Sequence, residues 1–266
     1  MTELLRTEAV TKAFGGLVAA NRVDMKIEKG QILGLIGPNG AGKTTLFNVI
    51  TGLYPASSGN IYFKGEDITR LSQADIVPRG MCRTFQVLRI FRNISVLDNV
   101  LVGMQTQSKG SVLDALLQMP SARQEERRMK EQAMHYLDLL GLTQYADTRA
   151  SALSYGDQRR VEVARALAAE PELLLLDEPA AGMNIAEAHK ITEFIQWIRT
   201  ELKKTILLIE HNMRVVMPIA DHVVVLNQGK KIFEGTPEAV QDSRKVIEAY
   251  LGQTYLRKIE EKEAHA

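Results

Sequence analysis

Gly37-Pro38-Asn39-Gly40-Ala41-Gly42-Lys43-Thr44 is the stretch on which the reading of this 266-residue chain turns. It fits the G-x-x-x-x-G-K-[ST] pattern of a phosphate-cradling loop. A short apolar run, Gln31 to Ile36, leads into it, and helix-forming residues from Lys43 and Thr44 through Thr45 to Ile50 lead out. Strand, glycine-rich turn and helix is the setting that gives the pattern meaning. The glycines let the backbone curl until its N–H groups point at phosphate oxygens, and the helix N-terminus adds partial positive charge. Lys43 would reach the β- and γ-phosphates of a nucleotide, and the Thr44 hydroxyl would ligate Mg²⁺. The bland alternative is a glycine-rich turn that merely opens a helix.

A second element lies well downstream, at Leu173-Leu174-Leu175-Leu176-Asp177-Glu178. An apolar strand ending in a carboxylate would let Asp177 help hold the metal. Glu178 is then placed to orient or deprotonate an attacking water. By itself such a strand usually just reaches solvent; behind a phosphate loop the functional reading takes over.

The composition fits around these elements. Apolar residues make up 45% and charged residues 24%, ordinary for a globular protein. A net charge of +1 gives no global field to draw the chain to nucleic acid or to an anionic membrane. The single cysteine, Cys82, excludes an internal disulfide framework and reads as a small buried hydrophobe in a reducing compartment. Met1 to Arg6 lacks a signal-peptide core, and no apolar run approaches the roughly 18 residues of a membrane span. Any membrane role would therefore go through a partner.

The pattern predicts an α/β chain. Leu4 to Val10, Val23 to Ile27 and Gly59 to Ile68 read as strands of an N-terminal β region, broken at Gly15-Gly16, Lys29-Gly30 and Lys64-Gly65. From about Val87 to Ala169 the texture is helical. Glu125 to Leu140 sets Met129, Ala133, Tyr136, Leu137 and Leu140 on one face and is ended by Gly141. Asp157 to Ala169 reads as a second helix. Leu173 to Asp177 and Thr205 to Glu210 suit a parallel sheet covered on both faces, with a helix from Ala186 to Leu202 between them. Phe194 and Trp197 on that helix read as helix-to-sheet packing. Asn227-Gln228-Gly229 marks a hairpin, and after Pro237 comes one amphipathic helix and a charged end, Arg257 to Ala266, expected to fray. His135, His189 and His222 are scattered without ligand spacing. The Arg123 to Glu131 charge run reads as a solvated helix face.

A phosphate loop and an acidic strand end fit kinases, GTPases and helicases equally. The discriminating stretch is Leu153-Ser154-Tyr155-Gly156-Asp157-Gln158-Arg159-Arg160, just ahead of the Leu173 strand. It resembles the Leu-Ser-Gly-Gly-Gln signature of ABC ATPases, and the resemblance covers nearly the whole chain. Gln86, in Arg83-Thr84-Phe85-Gln86, matches the Q-loop glutamine; Ala181-Gly182-Met183-Asn184 occupies the D-loop; His211 matches the switch histidine; Phe14 stands where that family sets an aromatic ring against adenine. The resemblance implies a P-loop NTPase core with a mostly parallel sheet, an N-terminal antiparallel β subdomain and an inserted helical subdomain. It divides one ABC domain into a core of 1–86 and 170–235, a helical part of 87–169 and a tail of 236–266. It further implies that ATP and Mg²⁺ are bound, that Gln86 joins Thr44 and Asp177 at the metal, and that His211 contacts the γ-phosphate beside Glu178. Ser154 and Gly156, taken to precede a helix, would face the γ-phosphate held by a second ATPase subunit in a head-to-tail dimer. In isolation Gln86 reads as a polar strand end, His211 as a cap and Phe14 as core. Tyr155 replaces a signature glycine, Asp157 its glutamine, and Asn184 the commoner D-loop aspartate.

Lys12-Ala13-Phe14-Gly15-Gly16-Leu17, the Leu-Ser-Tyr-Gly signature, Ala180-Ala181-Gly182-Met183-Asn184 and Leu207-Leu208-Ile209-Glu210-His211-Asn212-Met213 are similar to ATP-binding subunits of bacterial branched-chain amino-acid importers. The segment from Met104 to Arg123 points to the LivG type. That resemblance implies two membrane permease subunits, an indirect solute-binding protein, a place at the cytoplasmic side of a cell membrane, and no nucleic-acid partner. Val87, Leu88, Ile90, Phe91, Val96 and Leu97 would supply apolar material for a permease helix, with core packing equally open for about half of them. Rival readings are a soluble ABC-type ATPase acting on nucleic acid or ribosomes, an importer of another solute, and a nucleotide-binding regulator without turnover. The first rival lacks the long coiled coil or fused second cassette typical of such proteins, and Glu178 argues against the last.

Overall fold

The computed structural model describes residues 2–84, 89–105 and 120–251. In chain order it has β1 (Glu3–Phe14), β2 (Leu17–Glu28), β3 (Ile32–Ile36), α1 (Lys43–Ile50), β4 (Ser58–Phe63), β5 (Glu66–Asp67), α2 (Gln73–Ile76), β6 (Met81–Arg83) and α3 (Val96–Met104). There follow α4 (Pro120–Leu139), α5 (Tyr155–Ala168), β7 (Leu173–Asp177), α6 (Ile185–Thr200), β8 (Thr205–Ile209), α7 (Met213–Val216), β9 (His222–Asn227), β10 (Lys230–Gly235), α8 (Pro237–Gln241) and α9 (Arg244–Leu251). Packing divides the chain into one unit of residues 1–73 with 175–266 and a second of residues 74–174.

The first unit holds two sheets. In the antiparallel one, ordered β2-β1-β4-β5, the β1–β2 hairpin turns at Gly15-Gly16 and runs further than the sequence pattern indicates, to Phe14. The larger sheet carries β10-β9-β3-β8-β7 in that order. Its centre is parallel, with Ile32 opposite Ile206 and Ile36 opposite Val225. All five positions of β3, β7 and β8 are buried, which is why these strands read as unbroken apolar runs. Each such leucine or isoleucine contributes about 1.5–3 kcal/mol by leaving water. Gly34 admits α7 to the face of β3, since a Cβ there would stand 2.6 Å from Val216 Cγ1.

Phe194 and Trp197 do not pack helix to sheet as their spacing predicts. On α6 the buried face is Ala188, Thr192, Ile195 and Ile198. Phe194 and Trp197 are only half-buried and stack on each other, centroids 6.0 Å apart. Aromatic rings at i and i+3 meet along the helix surface as readily as they enter a core.

The second unit is mostly helical. Ser95 caps α3 by accepting from the Asp98 N–H, and buried Asn99 bonds the Phe91 and Ser95 backbone. Ala133, Leu137 and Leu140 are buried where α4 ends, whereas the 123–131 charge run is largely exposed. Gly141 follows at φ 65°, a left-handed closure that glycine takes without strain. Val96 and Cys82 are buried and Phe91 is exposed. Val87, Leu88, most of the Met104–Arg123 segment and the Arg257–Ala266 end lie outside the described residues. Among the described residues no helix is long and apolar enough to cross a membrane.

Candidate functional site

The phosphate-loop stretch leaves the buried end of β3 and enters α1 at Lys43. Gly37, Gly40 and Gly42 have φ of 151°, 78° and 96°. At Gly37 a Cβ would meet the Leu226 carbonyl at 2.1 Å, and at Gly42 the Ala19 carbonyl at 2.2 Å, so both need glycine for space as well as torsion. No side chain caps α1, and Gly42 stands at its N-cap in the left-handed conformation. No side chain therefore competes for the first-turn N–H groups, a setting chemically suited to an anion. Thr44 is exposed and Thr45 half-buried.

Lys43 is 6% exposed, and its ammonium donates to the carbonyls of Gly37 (2.7 Å) and Pro38 (3.0 Å). Burial pulls its pKa down, while Glu178, Asp177 and Glu210 oppose the shift. Those three carboxylates end two neighbouring strands. Asp177 is buried at the tip of β7. Glu178 adopts φ 47°, and its N–H donates to the Ile209 carbonyl at 2.9 Å, fastening the β7 exit to β8. The His211 Nδ1 sits 3.6 Å from Glu178 Oε2 and 3.9 Å from Glu210 Oε2, with the imidazole half exposed.

Glu210 is the member of this cluster that sequence reasoning missed. It has no exposed surface and accepts from the N–H groups of Ala180, His211 and Asn212. Desolvation nonetheless raises its pKa above the usual carboxylate value. The sequence marked Thr205 to Glu210 only as a buried strand, and nothing in its spacing pointed to Glu210 as part of the site.

Phe14 is exposed at the β1–β2 turn and packs edge-on against Tyr54, centroids 5.6 Å apart. The Lys12 ammonium lies 5.0 Å from the Phe14 ring centre and donates to the Pro55 carbonyl at 2.8 Å. Tyr54 carried no signal in the sequence. Asn184 caps α6 in a reciprocal box with Glu187.

In the second unit, Ser154 is the N-cap of α5, and Gly156 lies inside the first helical turn rather than ahead of it. The cause is local. The Ser154 hydroxyl donates to Asp157 Oδ2 at 2.7 Å and accepts from the Asp157 N–H at 3.2 Å, so the helix starts immediately after the serine. The two departures therefore have structural work. Asp157 holds the cap, and the Tyr155 hydroxyl takes two bonds from Arg159, whose guanidinium is paired with buried Glu162. Gln86 lies outside the described residues.

The family described as ABC transporter matches residues 20–181, and that described as branched-chain amino acid ATP-binding cassette transporter matches residues 230–255. The chain is 44% identical to the high-affinity branched-chain amino acid transport ATP-binding protein BraF of Pseudomonas aeruginosa, covering 94% of this chain and 98% of that protein. It belongs to the ABC transporter family. To LivG of Escherichia coli K12, which carries the same description, this ABC ATPase is 43% identical over the same shares. Among solved structures it resembles the ADP conformation of MJ1267, an ATP-binding cassette of an ABC transporter, with TM-score 0.81 and 36% identity over 95% of this chain and all of that one. A nucleotide-free cassette from an ABC transporter gives TM-score 0.80 and 37% identity, also over 95% of this chain and all of that one.

Proposed function

We infer that the chain is the ATP-hydrolysing subunit of an importer for branched-chain amino acids, driving transport through partner permeases. The observation that carries the reading is the gathering of Lys43, Asp177, Glu178, Glu210 and His211 at the glycine loop. ATP phosphates would enter the loop from Gly37 to Thr45, and Lys43 would exchange its two carbonyls for phosphate oxygens. Phe14 would take the adenine ring.

Thr44, Asp177 and Gln86 would hold Mg²⁺. The first two offer a hydroxyl and a carboxylate, hard oxygens that suit this ion. When bound it would neutralise charge on the β- and γ-phosphates. Glu178 would accept the proton of the water that attacks the γ-phosphorus as the bond to the β–γ bridging oxygen breaks. His211, against the Glu178 carboxylate, would fix its orientation and meet the γ-phosphate.

Ser154 and Gly156 would close over ATP bound by a second ATPase subunit, identical or homologous, in a head-to-tail dimer. Two permease subunits and, through them, a solute-binding protein complete the assembly, with this subunit at the cytoplasmic side of the cell membrane. Replacing Glu178 by Gln should leave ATP affinity near wild type and cut phosphate release by about 10²–10⁴-fold. Turnover at the wild-type rate would remove Glu178 from this role. Uptake of leucine, isoleucine and valine by the purified complex, against unrelated solutes, tests the cargo.

A further inference from the structure

The end of β8 carries an acid that the packing of the strand does not need. Ile206 to Ile209 are buried and apolar, and Glu210 follows them with no exposed surface. Burial raises its pKa, so an ionised side chain in that setting is costly unless it is well bonded. Three backbone N–H groups from two loops offset the cost. Oε1 accepts from Ala180 at 2.9 Å, in the turn that follows Glu178. Oε2 accepts from His211 at 3.2 Å and from Asn212 at 3.4 Å, in the loop that carries the imidazole. The strands β7 and β8 are neighbours in the sheet, and one carboxylate joins their exits, with one oxygen given to each loop.

Both loops hold a residue of the site. The turn at Ala180 is tight: Ala181 donates to the Glu178 carbonyl at 3.1 Å, and Met183 donates to the Ala180 carbonyl at 3.1 Å. Fixing the Ala180 N–H therefore helps to fix where Glu178 stands. His211 has its own N–H in the Glu210 carboxylate and its Nδ1 3.6 Å from Glu178 Oε2. We propose that Glu210 is a positioning residue for hydrolysis: its carboxylate clamps the Ala180 turn to the His211 loop and so holds the imidazole against Glu178. An amide cannot do the same. Glutamine has one acceptor oxygen, and its NH₂ would face either the Ala180 N–H or those of His211 and Asn212, donor against donor. One loop is released whichever way the amide turns.

This rests on the hydrolytic reading above, and the experiment separates the two. Phosphate release from magnesium–ATP is measured on the purified complex, and the rate read is the part that Glu178→Gln removes, which isolates this chain's own site. Glu210→Gln should lower the saturated rate about 10–100-fold, the scale of a misplaced reacting group. The half-saturating ATP concentration should rise by no more than about twofold, because the clamp bonds Ala180, His211 and Asn212 rather than the glycine loop. Glu210→Asp keeps the charge but is one methylene shorter, and it should lose rate as well. A Glu210→Gln rate within about twofold of wild type overturns the proposal alone, as does a loss that appears in the half-saturating concentration instead. A wild-type rate in Glu210→Asp would make charge alone the cause and overturns the clamp. The melting temperature of nucleotide-free Glu210→Gln at pH 8 should not fall, since the amide sheds the desolvation of a buried charge. A clear fall there would make Glu210 a residue of the fold and overturn its positioning role. Phosphate release that does not depend on Glu178 overturns the hydrolytic reading itself.

Discussion

Replacing Gly42 by alanine should destabilise the first unit far more than replacing Gly40, two residues away in the same loop. Both glycines have positive φ, 96° and 78°, so each substitution pays a left-handed strain of about 1–2 kcal/mol. They differ in what a methyl group would meet. At Gly40 nothing lies within 4 Å. At Gly42 the methyl carbon would stand 2.2 Å from the Ala19 carbonyl oxygen and 3.3 Å from the Gly229 Cα. Neither obstacle can swing aside. Ala19 lies within β2, and Gly229 is fixed on both sides, donating to Ala41 and accepting from Asn21 at 2.7 Å. Overlap of this kind adds about 1–3 kcal/mol. The expected losses are therefore about 1–2 kcal/mol for Gly40→Ala and about 2–5 kcal/mol for Gly42→Ala. Trp197 is the only tryptophan and lies on α6 of this unit, so its fluorescence in a urea titration reports the relevant transition. Equal midpoints for the two variants would refute the argument, because strain without contact would then account for both.

Glu210→Gln should gain stability relative to wild type as pH rises. Burial raises the folded-state pKa of Glu210, so its contribution is fully present below the unfolded value near 4.5 and is lost as pH climbs through the raised one. Melting temperatures of nucleotide-free protein at pH 5 and pH 8 check this, and a constant difference between the two proteins would contradict it. Arg159→Ala should cost about 3 kcal/mol, since it strips the guanidinium from Glu162, whose side chain is 1% exposed; changing Arg159 to Met together with Glu162 to Leu should recover much of that in thermal melts. Ser154→Ala should cost about 1 kcal/mol through the lost cap, and Asp157→Ala a similar amount. Only the serine variant should also weaken ATP-dependent dimerisation in sedimentation; equal weakening in both would make that effect a consequence of helix fraying.

What the sequence made legible were features whose causes lie within a few residues. The buried runs of β3, β7 and β8 needed only their unbroken aliphatic composition, and α1 begins at Lys43 as its pattern indicates. Asp157 has a cause of the same local kind: a serine followed three places on by an acid is a capping arrangement, even where the acid departs from the signature glutamine. Glu210 and Tyr54 were not readable. Each draws its meaning from a segment far along the chain: Glu210 from the Ala180 N–H, Tyr54 from Phe14. Nothing in the spacing around them announces these partners. The same limit applies to the glycines. The pattern marks Gly37 and Gly42 as necessary for curling the loop, whereas the structure adds that strands from distant sequence leave no room for a Cβ. A substitution argument from torsion alone would treat Gly40 and Gly42 alike. It is the Ala19 carbonyl, more than twenty residues upstream, that makes them different.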